Sequence, residues 1–233
     1  MDGDVAARPH VLLSCATSID GALDDLSPQR LILSSPADLD RVDGVRADAD
    51  AVLVGAGTVR RDDPRLLVRS ADRRGDRVAR GLPPSPLRVI LTSTGDLDPT
   101  ARVFTTPGAA TLVYCASPAV GSARERLRGL ATIVDAGDPV HLSTLLGDLH
   151  GRGVGVLLVE GGAAVHRAFL AAGLVDELHL VVAPFVLGEA GAPRLTGDGR
   201  FPPRGRAILA EVRRLGDVAL LRYRFEGHPE LGS

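Results

Sequence analysis

The sequence contains no lysine, no asparagine and no tryptophan, and aromatic residues make up only 3% of it. All 27 basic residues are therefore arginine. Without lysine there is no Schiff-base former, no lysine base and no P-loop phosphate ligand. Recognition of a phosphate falls to arginine, whose planar fork suits bidentate contacts. Few aromatics and a formal net charge of −2 exclude a base-stacking platform and a broad basic field for nucleic acid or anionic membrane. There are two cysteines, Cys15 and Cys115, both inside apolar runs, and no C-x-x-C or zinc spacing. Both read as small buried hydrophobes. The histidines (His10, His141, His150, His166, His179, His228) show no metal spacing, and no G-x-S-x-G elbow anchors a hydrolase triad. No apolar run reaches the roughly 18 residues of a membrane span, and the acidic first residues lack the apolar segment of a secretory signal. The expectation is a cytoplasmic protein with no metal, no nucleic-acid partner and no membrane contact.

What is present is an ordinary globular composition, 45% hydrophobic and 24% charged over 233 residues. Strand-like runs recur at Val11–Ala16, Ala51–Val54, Arg88–Leu91, Thr111–Cys115, Thr132–Val134, Gly155–Val159, Glu177–Ala183, Ala207–Val212 and Val218–Phe225. Several are continuously apolar, as strands buried on both faces are. The last two flank a turn holding Gly216 and read as an antiparallel hairpin. Helices fall between the strands. One starts at Ser35-Pro36-Ala37-Asp38, with Ser35 as N-cap, and runs to about Ala47. Others span Ala119–Gly129, Leu142–Gly151 and Gly162–Ala172, the last stopped by Gly173. Arg69–Pro86 has no apolar period and reads as a surface loop. The alternation predicts an α/β fold with a mainly parallel sheet and an antiparallel end. One domain is expected over residues 9–226, between tails 1–8 and 227–233.

Four segments carry polar chemistry at strand ends. Val54-Gly55-Ala56-Gly57-Thr58 follows a strand, and its glycines allow close backbone approach to an anion, or simply a tight turn. The dinucleotide fingerprint fails there, because Arg60 stands where a third glycine belongs. Val159-Glu160-Gly161-Gly162 closes an apolar strand and opens a helix, so the N–H groups of Gly161, Gly162 and Ala163 suit an anion reinforced by the helix dipole. Arg60–Arg69 brackets two carboxylates with cations directly after the first glycine segment. Ser18-Ile19-Asp20-Gly21 ends the first strand and, alone, is a turn.

Together and in this order, these segments resemble the reductase domain of bacterial riboflavin biosynthesis, the C-terminal half of the bifunctional deaminase–reductase. The resemblance runs over about residues 9–225. It is carried by Ser18–Gly21, Val45–Val59, Asp62-Asp63-Pro64-Arg65-Leu66, Val159–Gly162, Leu174–Leu178 and Ala183–Gly188. It implies a dihydrofolate-reductase-like fold, with a mixed, mainly parallel central sheet flanked by helices and a C-terminal antiparallel hairpin. It implies a stand-alone reductase of the 5-amino-6-(5-phosphoribosylamino)uracil reductase type, using NADPH on a small phosphorylated substrate and assembling as a homodimer. Carried over residue by residue, it places Ala16, Gly55, Gly57, Thr58, Asp62, Ser93, Gly161, Gly162, Ala163, Ala164 and Val165 at the cofactor. Arg46, Leu66, Arg69 and Glu160 fall at the substrate, and Arg30 and Ile32 lie in a segment of further contacts. Glu160, and after it Asp20, are the candidates for catalytic contact. The family has Lys or Arg directly after the S-x-D-G turn; Ala22 stands there in this chain. Left open are a same-fold NADPH reductase of another pterin or pyrimidine, a non-catalytic dinucleotide-binding regulator, and a flavin-binding protein.

Overall fold

A computed structural model describes residues 7–27, 31–196 and 207–225. Most of the expected tails 1–8 and 227–233, together with Arg30 and His228, lie outside the described residues. The strands are β1 His10–Thr17, β2 Ala51–Gly55, β3 Leu87–Thr92, β4 Thr111–Cys115, β5 Thr132–Asp135, β6 Val156–Gly161, β7 Glu177–Val182, β8 Ala207–Leu215 and β9 Val218–Phe225. The helices are α1 Pro36–Asp48, α2 Ala56–Asp62, α3 Ala71–Ala79, α4 Arg102–Thr105, α5 Val120–Arg126, α6 Leu142–Gly151 and α7 Ala163–Ala171. Among the described residues, no helix is long and apolar enough to cross a membrane.

The chain divides into two compact units, Met1–His10 with Arg46–Leu158, and Val11–Val45 with Val159–Ser233. In the first, the strand order is β5-β4-β3-β2-β6. The pairs β2–β3, β3–β4 and β4–β5 are all parallel. Every residue of β2 and β4 is buried. Strands covered on both faces need apolar side chains on both, which is why these segments do not alternate.

In the second unit the order is β1-β7-β9-β8. β1 pairs with β7 in parallel, from Leu12 opposite Glu177 to Thr17 opposite Val182. β7–β9 and β8–β9 are antiparallel, with a bulge between Leu209 and Glu211. Gly216, at φ 70°, makes the hairpin turn. Leu33, Val181, Ala183, Val218 and Leu220 form a buried cluster, with Ala16, Leu31, Phe185 and Leu215 packed on it. α1 begins as its sequence dictates: the Ser35 hydroxyl accepts from the Asp38 N–H at 3.2 Å and donates to the Leu215 carbonyl at 2.8 Å.

Three readings of the sequence need correction. Arg69–Pro86 is not wholly loop, because it contains α3. Ser70 caps that helix by accepting from the Arg73 N–H. Its inward position is held by an arginine instead of a hydrophobe, so no apolar period marks it. Arg77 is buried, and its guanidinium donates to the carbonyls of Pro83, Ala47 and Ala49, each at 2.8 Å. The glycine segment after β2 is not a turn but leads straight into α2, which begins at Ala56. The helix expected over Ala119–Gly129 is shorter. A 3-10 turn over Ser117–Ala119, containing Pro118, precedes α5, and the helix stops at Arg126.

Candidate functional site

In the first unit, Gly55 ends β2 in extended conformation (φ −78°, ψ 155°) and caps α2 without a side-chain hydrogen bond. Gly57 lies in the first turn of that helix, exposed, with no atom within 4 Å of where a Cβ would stand. Neither backbone strain nor crowding calls for glycine there. Thr58 is half-buried one residue on, and Asp62 closes the helix. Asp63 follows in the left-handed region at φ 40°, and its carboxylate accepts the Arg102 N–H at 2.7 Å. Leu66 is also left-handed, at φ 51°, and buried. Two non-glycine residues in that region within four positions make Asp62–Leu66 a strained turn, of the kind that collects at functional sites. The Arg46 guanidinium, at the end of α1, donates to the Leu67 carbonyl at 3.3 Å, two residues before the exposed Arg69. Arg46 thus reaches the backbone of the segment that carries Arg69.

Ser93 is exposed directly after β3. The Thr92 hydroxyl accepts the Thr94 and Gly95 N–H groups and sets the turn. Two arginines converge on its far side. Arg60 donates to the Asp96 carbonyl at 3.0 Å, and Arg126 pairs with the Asp96 carboxylate. An acidic residue so close to the strand end could compete for a ligand hydroxyl, but Arg126 already engages this one. The Asp96–Arg126 contact joins residues 30 apart, with no local signal for it.

In the second unit, Glu160 is half-buried at the penultimate position of β6. Gly161 is buried behind it. Gly162, at φ 87°, turns the chain into α7 with no side-chain cap. The first N–H groups of that nine-residue helix, Ala163, Ala164 and Val165, precede any intrahelical donor bond. This uncapped, positively polarised turn fits the pyrophosphate of a dinucleotide. One turn later His166 is buried, and neither ring nitrogen has a hydrogen-bond partner among the described residues. Burial pushes its pKa down to about 4, with the nearby Val159 carbonyl only partly offsetting. Ala16 is half-buried on the apolar cluster.

Asp20 is the most heavily engaged of the expected residues. Its carboxylate accepts from the Ser18 hydroxyl at 2.6 Å and from the N–H groups of Leu187 and Gly188 at 3.0 and 3.1 Å. These bonds, the Ser18 hydroxyl foremost, hold it far below the usual carboxylate range. A carboxylate so saturated anchors the loop after β1 to the segment after β7; it has little capacity to carry a proton. Ala22 is fully buried, and Ile32 is 73% exposed. Cys15 is buried, and its thiol is pushed up to about 12 by that burial. Cys115 is also buried and its pKa is raised. Both are inert. Among the described residues, no group of three or more His, Cys, Asp or Glu side chains is placed to hold a metal ion.

The family model described as the RibD C-terminal domain matches residues 9–221. A 2,5-diamino-6-ribosylamino-4(3H)-pyrimidinone 5′-phosphate reductase of Archaeoglobus fulgidus is 36% identical over 219 residues, covering 94% of this chain and 99% of that protein. The protein of the same name from Methanothermobacter thermautotrophicus is 34% identical over 225 residues, covering 94% and 100%. Among solved structures, a pyrimidine reductase-like protein of Corynebacterium diphtheriae superposes with a TM-score of 0.82 at 25% identity, covering 94% of this chain and 93% of that one.

Proposed function

The chain belongs to the RibD C-terminal domain family, and from that membership we propose that it is an NADPH-dependent reductase converting a ribosylamino-pyrimidine 5′-phosphate to the ribitylamino compound. Membership makes it an oxidoreductase with a dihydrofolate-reductase-like fold. The relatives matched over their full length are named for the diamino pyrimidinone. That form is therefore the preferred substrate here, ahead of the deaminated uracil. The observation carrying the reading is the uncapped glycine turn Gly161–Val165 directly after Glu160, which fits a dinucleotide pyrophosphate beside a carboxylate.

Reduction of the open-chain imine form of the substrate adds a hydride to C1′ and a proton to the nitrogen, breaking the C=N π bond. NADPH supplies the hydride when bound. The chain's part is orientation, worth several kcal/mol when the reacting atoms are held in line. Gly161, Gly162, Ala163, Ala164 and Val165 offer backbone donors to the cofactor phosphates. Thr58, Asp62, Gly55, Gly57, Ala16 and Ser93 are assigned further cofactor contacts. Arg46 and Arg69 hold the substrate phosphate, with Leu66 beside them. Glu160 meets the ribose hydroxyls and assists proton movement. Asp20 is reassigned from catalysis to positioning, because its oxygens are already occupied.

NADPH is preferred over NADH. Arg60 and Arg126 flank the turn after Ser93, and Asp96 is paired, which favours a 2′-phosphate over a free hydroxyl. We assign a cytoplasmic location and a homodimer. The dimer is supported by the edge strand β8, whose Ile208, Leu209 and Val212 stand 48%, 50% and 63% exposed. The deciding assay follows NADPH absorbance with each of the two phosphorylated pyrimidines. Steady oxidation with the diamino compound supports the reading, and none with either excludes it in favour of a non-catalytic binder.

A further inference from the structure

In the second unit, the loop after β1 and the segment after β7 are zipped together. The Ile19 N–H donates to the Phe185 carbonyl at 2.8 Å and the Leu23 N–H to the Pro193 carbonyl at 2.7 Å, while the Ser18 N–H closes the loop on itself through the Ala22 carbonyl at 2.9 Å. Ala22 and Arg194 form an isolated antiparallel bridge. Ala22 is fully buried and offers no polar group. Across from it, the Arg194 side chain is 41% exposed. One of its amino groups donates to the Asp20 carbonyl, and the other lies 3.5 Å from Asp20 Oδ2.

Closing the seam does not need that charge. Three other donors already engage the Asp20 carboxylate, and they hold it ionised. A guanidinium carries five N–H donors. Those of Arg194 not turned to Asp20 have no partner among the described residues. Beside the seam stand two large apolar side chains without cover, Ile19 at 61% and Val186 at 64% exposure. The hydrogen bond from Ile19 to Phe185 brings their backbones together. Spare guanidinium donors beside uncovered apolar surface suit a ligand that joins oxygen acceptors to a ring.

We propose that Arg194 is a substrate-positioning residue, its guanidinium donating to an oxygen of the substrate outside the phosphate at the turn Ser18–Gly21, with Ile19 and Val186 providing the apolar side. The inference rests on the reductase reading above. NADPH also carries oxygen acceptors. The glycine turn before α7 already offers donors to its pyrophosphate, which leaves Arg194 to the substrate, and the experiment separates the two.

Arg194→Ala and Arg194→Lys are compared with the wild type for substrate KM and kcat at saturating NADPH, for NADPH Kd by fluorescence, and for melting temperature. The expected result for Arg194→Ala is a KM raised about ten- to a hundredfold, as for loss of one charged hydrogen bond. Its kcat should stay within about threefold, with NADPH Kd and melting temperature unchanged, and Arg194→Lys should recover part of the loss. An unchanged KM overturns the proposal. So does a raised NADPH Kd with KM intact, which moves Arg194 to the cofactor. A lowered melting temperature that Lys does not restore makes Arg194 a structural clamp only. If wild type turns over neither pyrimidine, the reductase reading fails by itself. Calorimetry with the same phosphorylated pyrimidines then decides for Arg194: binding weakened at least tenfold in Arg194→Ala supports the proposal, and equal or absent binding overturns it.

Discussion

A guanidinium can be buried without a carboxylate when backbone carbonyls surround it. Arg77 does this in the first unit, taking up the carbonyls of Ala47 and Ala49 at the end of α1 together with that of Pro83. Its pKa is lowered, burial being the main cause. Arg77→Met would fill the volume but remove the guanidinium from three carbonyls, of which, among the described residues, only that of Ala47 keeps another donor, Arg80 at 3.4 Å, so a loss of about 3 kcal/mol is expected in urea unfolding; a loss below about 1 kcal/mol would mean that water replaces the guanidinium. His166 makes the opposite case, a buried polar ring without partners. Its folded pKa, about 4, lies below the roughly 6.5 of an unfolded chain. The unfolded state therefore binds the proton first as pH falls. The stability from keeping the ring neutral is complete above about pH 6.5 and is lost progressively toward pH 4, about 3 kcal/mol in all. His179 contributes in the same sense. Its pKa is lowered by burial and by Arg41 and Arg222, against the pull of Glu177. His166→Leu should flatten the decline in unfolding free energy between pH 7 and pH 4.5, and an unaltered slope would assign the acid lability elsewhere.

The two glycine segments look alike in sequence, and their elements separate them. Gly162 sits at φ 87°, where any side chain is strained by about 1–3 kcal/mol. Gly57 has ordinary helical backbone and open space, where alanine is favoured over glycine by about 0.5–1 kcal/mol. Gly162→Ala should lower both melting temperature and NADPH affinity. Gly57→Ala should raise or keep the melting temperature, so any loss of NADPH affinity there reports on ligand approach alone. If Gly57→Ala binds NADPH normally, the segment after β2 is not a cofactor contact. Strands were legible because each covered strand had to be continuously apolar, and all nine appear within two residues of the expected bounds, except that β8 runs three residues beyond Val212. The helix α3 was not legible, since its inward residue is Arg77, and α2 was hidden behind two glycines. Glu160, the glycine turn and the Asp62–Leu66 turn could be placed at strand or helix ends by their own neighbours. Two of the three donors to Asp20 come from Leu187 and Gly188, more than 160 residues later. Arg194 comes from a Gly, Ala and Pro stretch without a motif, and no local pattern announces either.

Across the whole chain, the absence of lysine makes a chemical prediction that few proteins permit. The 27 basic side chains are all arginine, so every side-chain cation available to a phosphate is a guanidinium, apart from protonated histidine. The α-amino group is the chain's only primary amine. Acylation of amines should therefore leave NADPH binding and turnover essentially intact, where a lysine-dependent phosphate site would be lost. An arginine-directed dicarbonyl should inactivate. Arg77 and Arg88 are shielded by burial, so in the folded protein the reagent reaches the exposed set, in which Arg60, Arg69 and Arg194 matter most. Ligands should then divide the protection. NADPH should shield Arg60 and Arg126, which converge on Asp96 after Ser93. The phosphorylated pyrimidine should shield Arg46, Arg69 and Arg194. Mass spectrometry of the modified chain reads this residue by residue. Protection of Arg69 by NADPH alone would reverse the assignment of substrate and cofactor sides. Loss of activity on amine acylation, with the fold intact, would show that phosphate recognition draws on the α-amino group and that the arginine-only account is wrong.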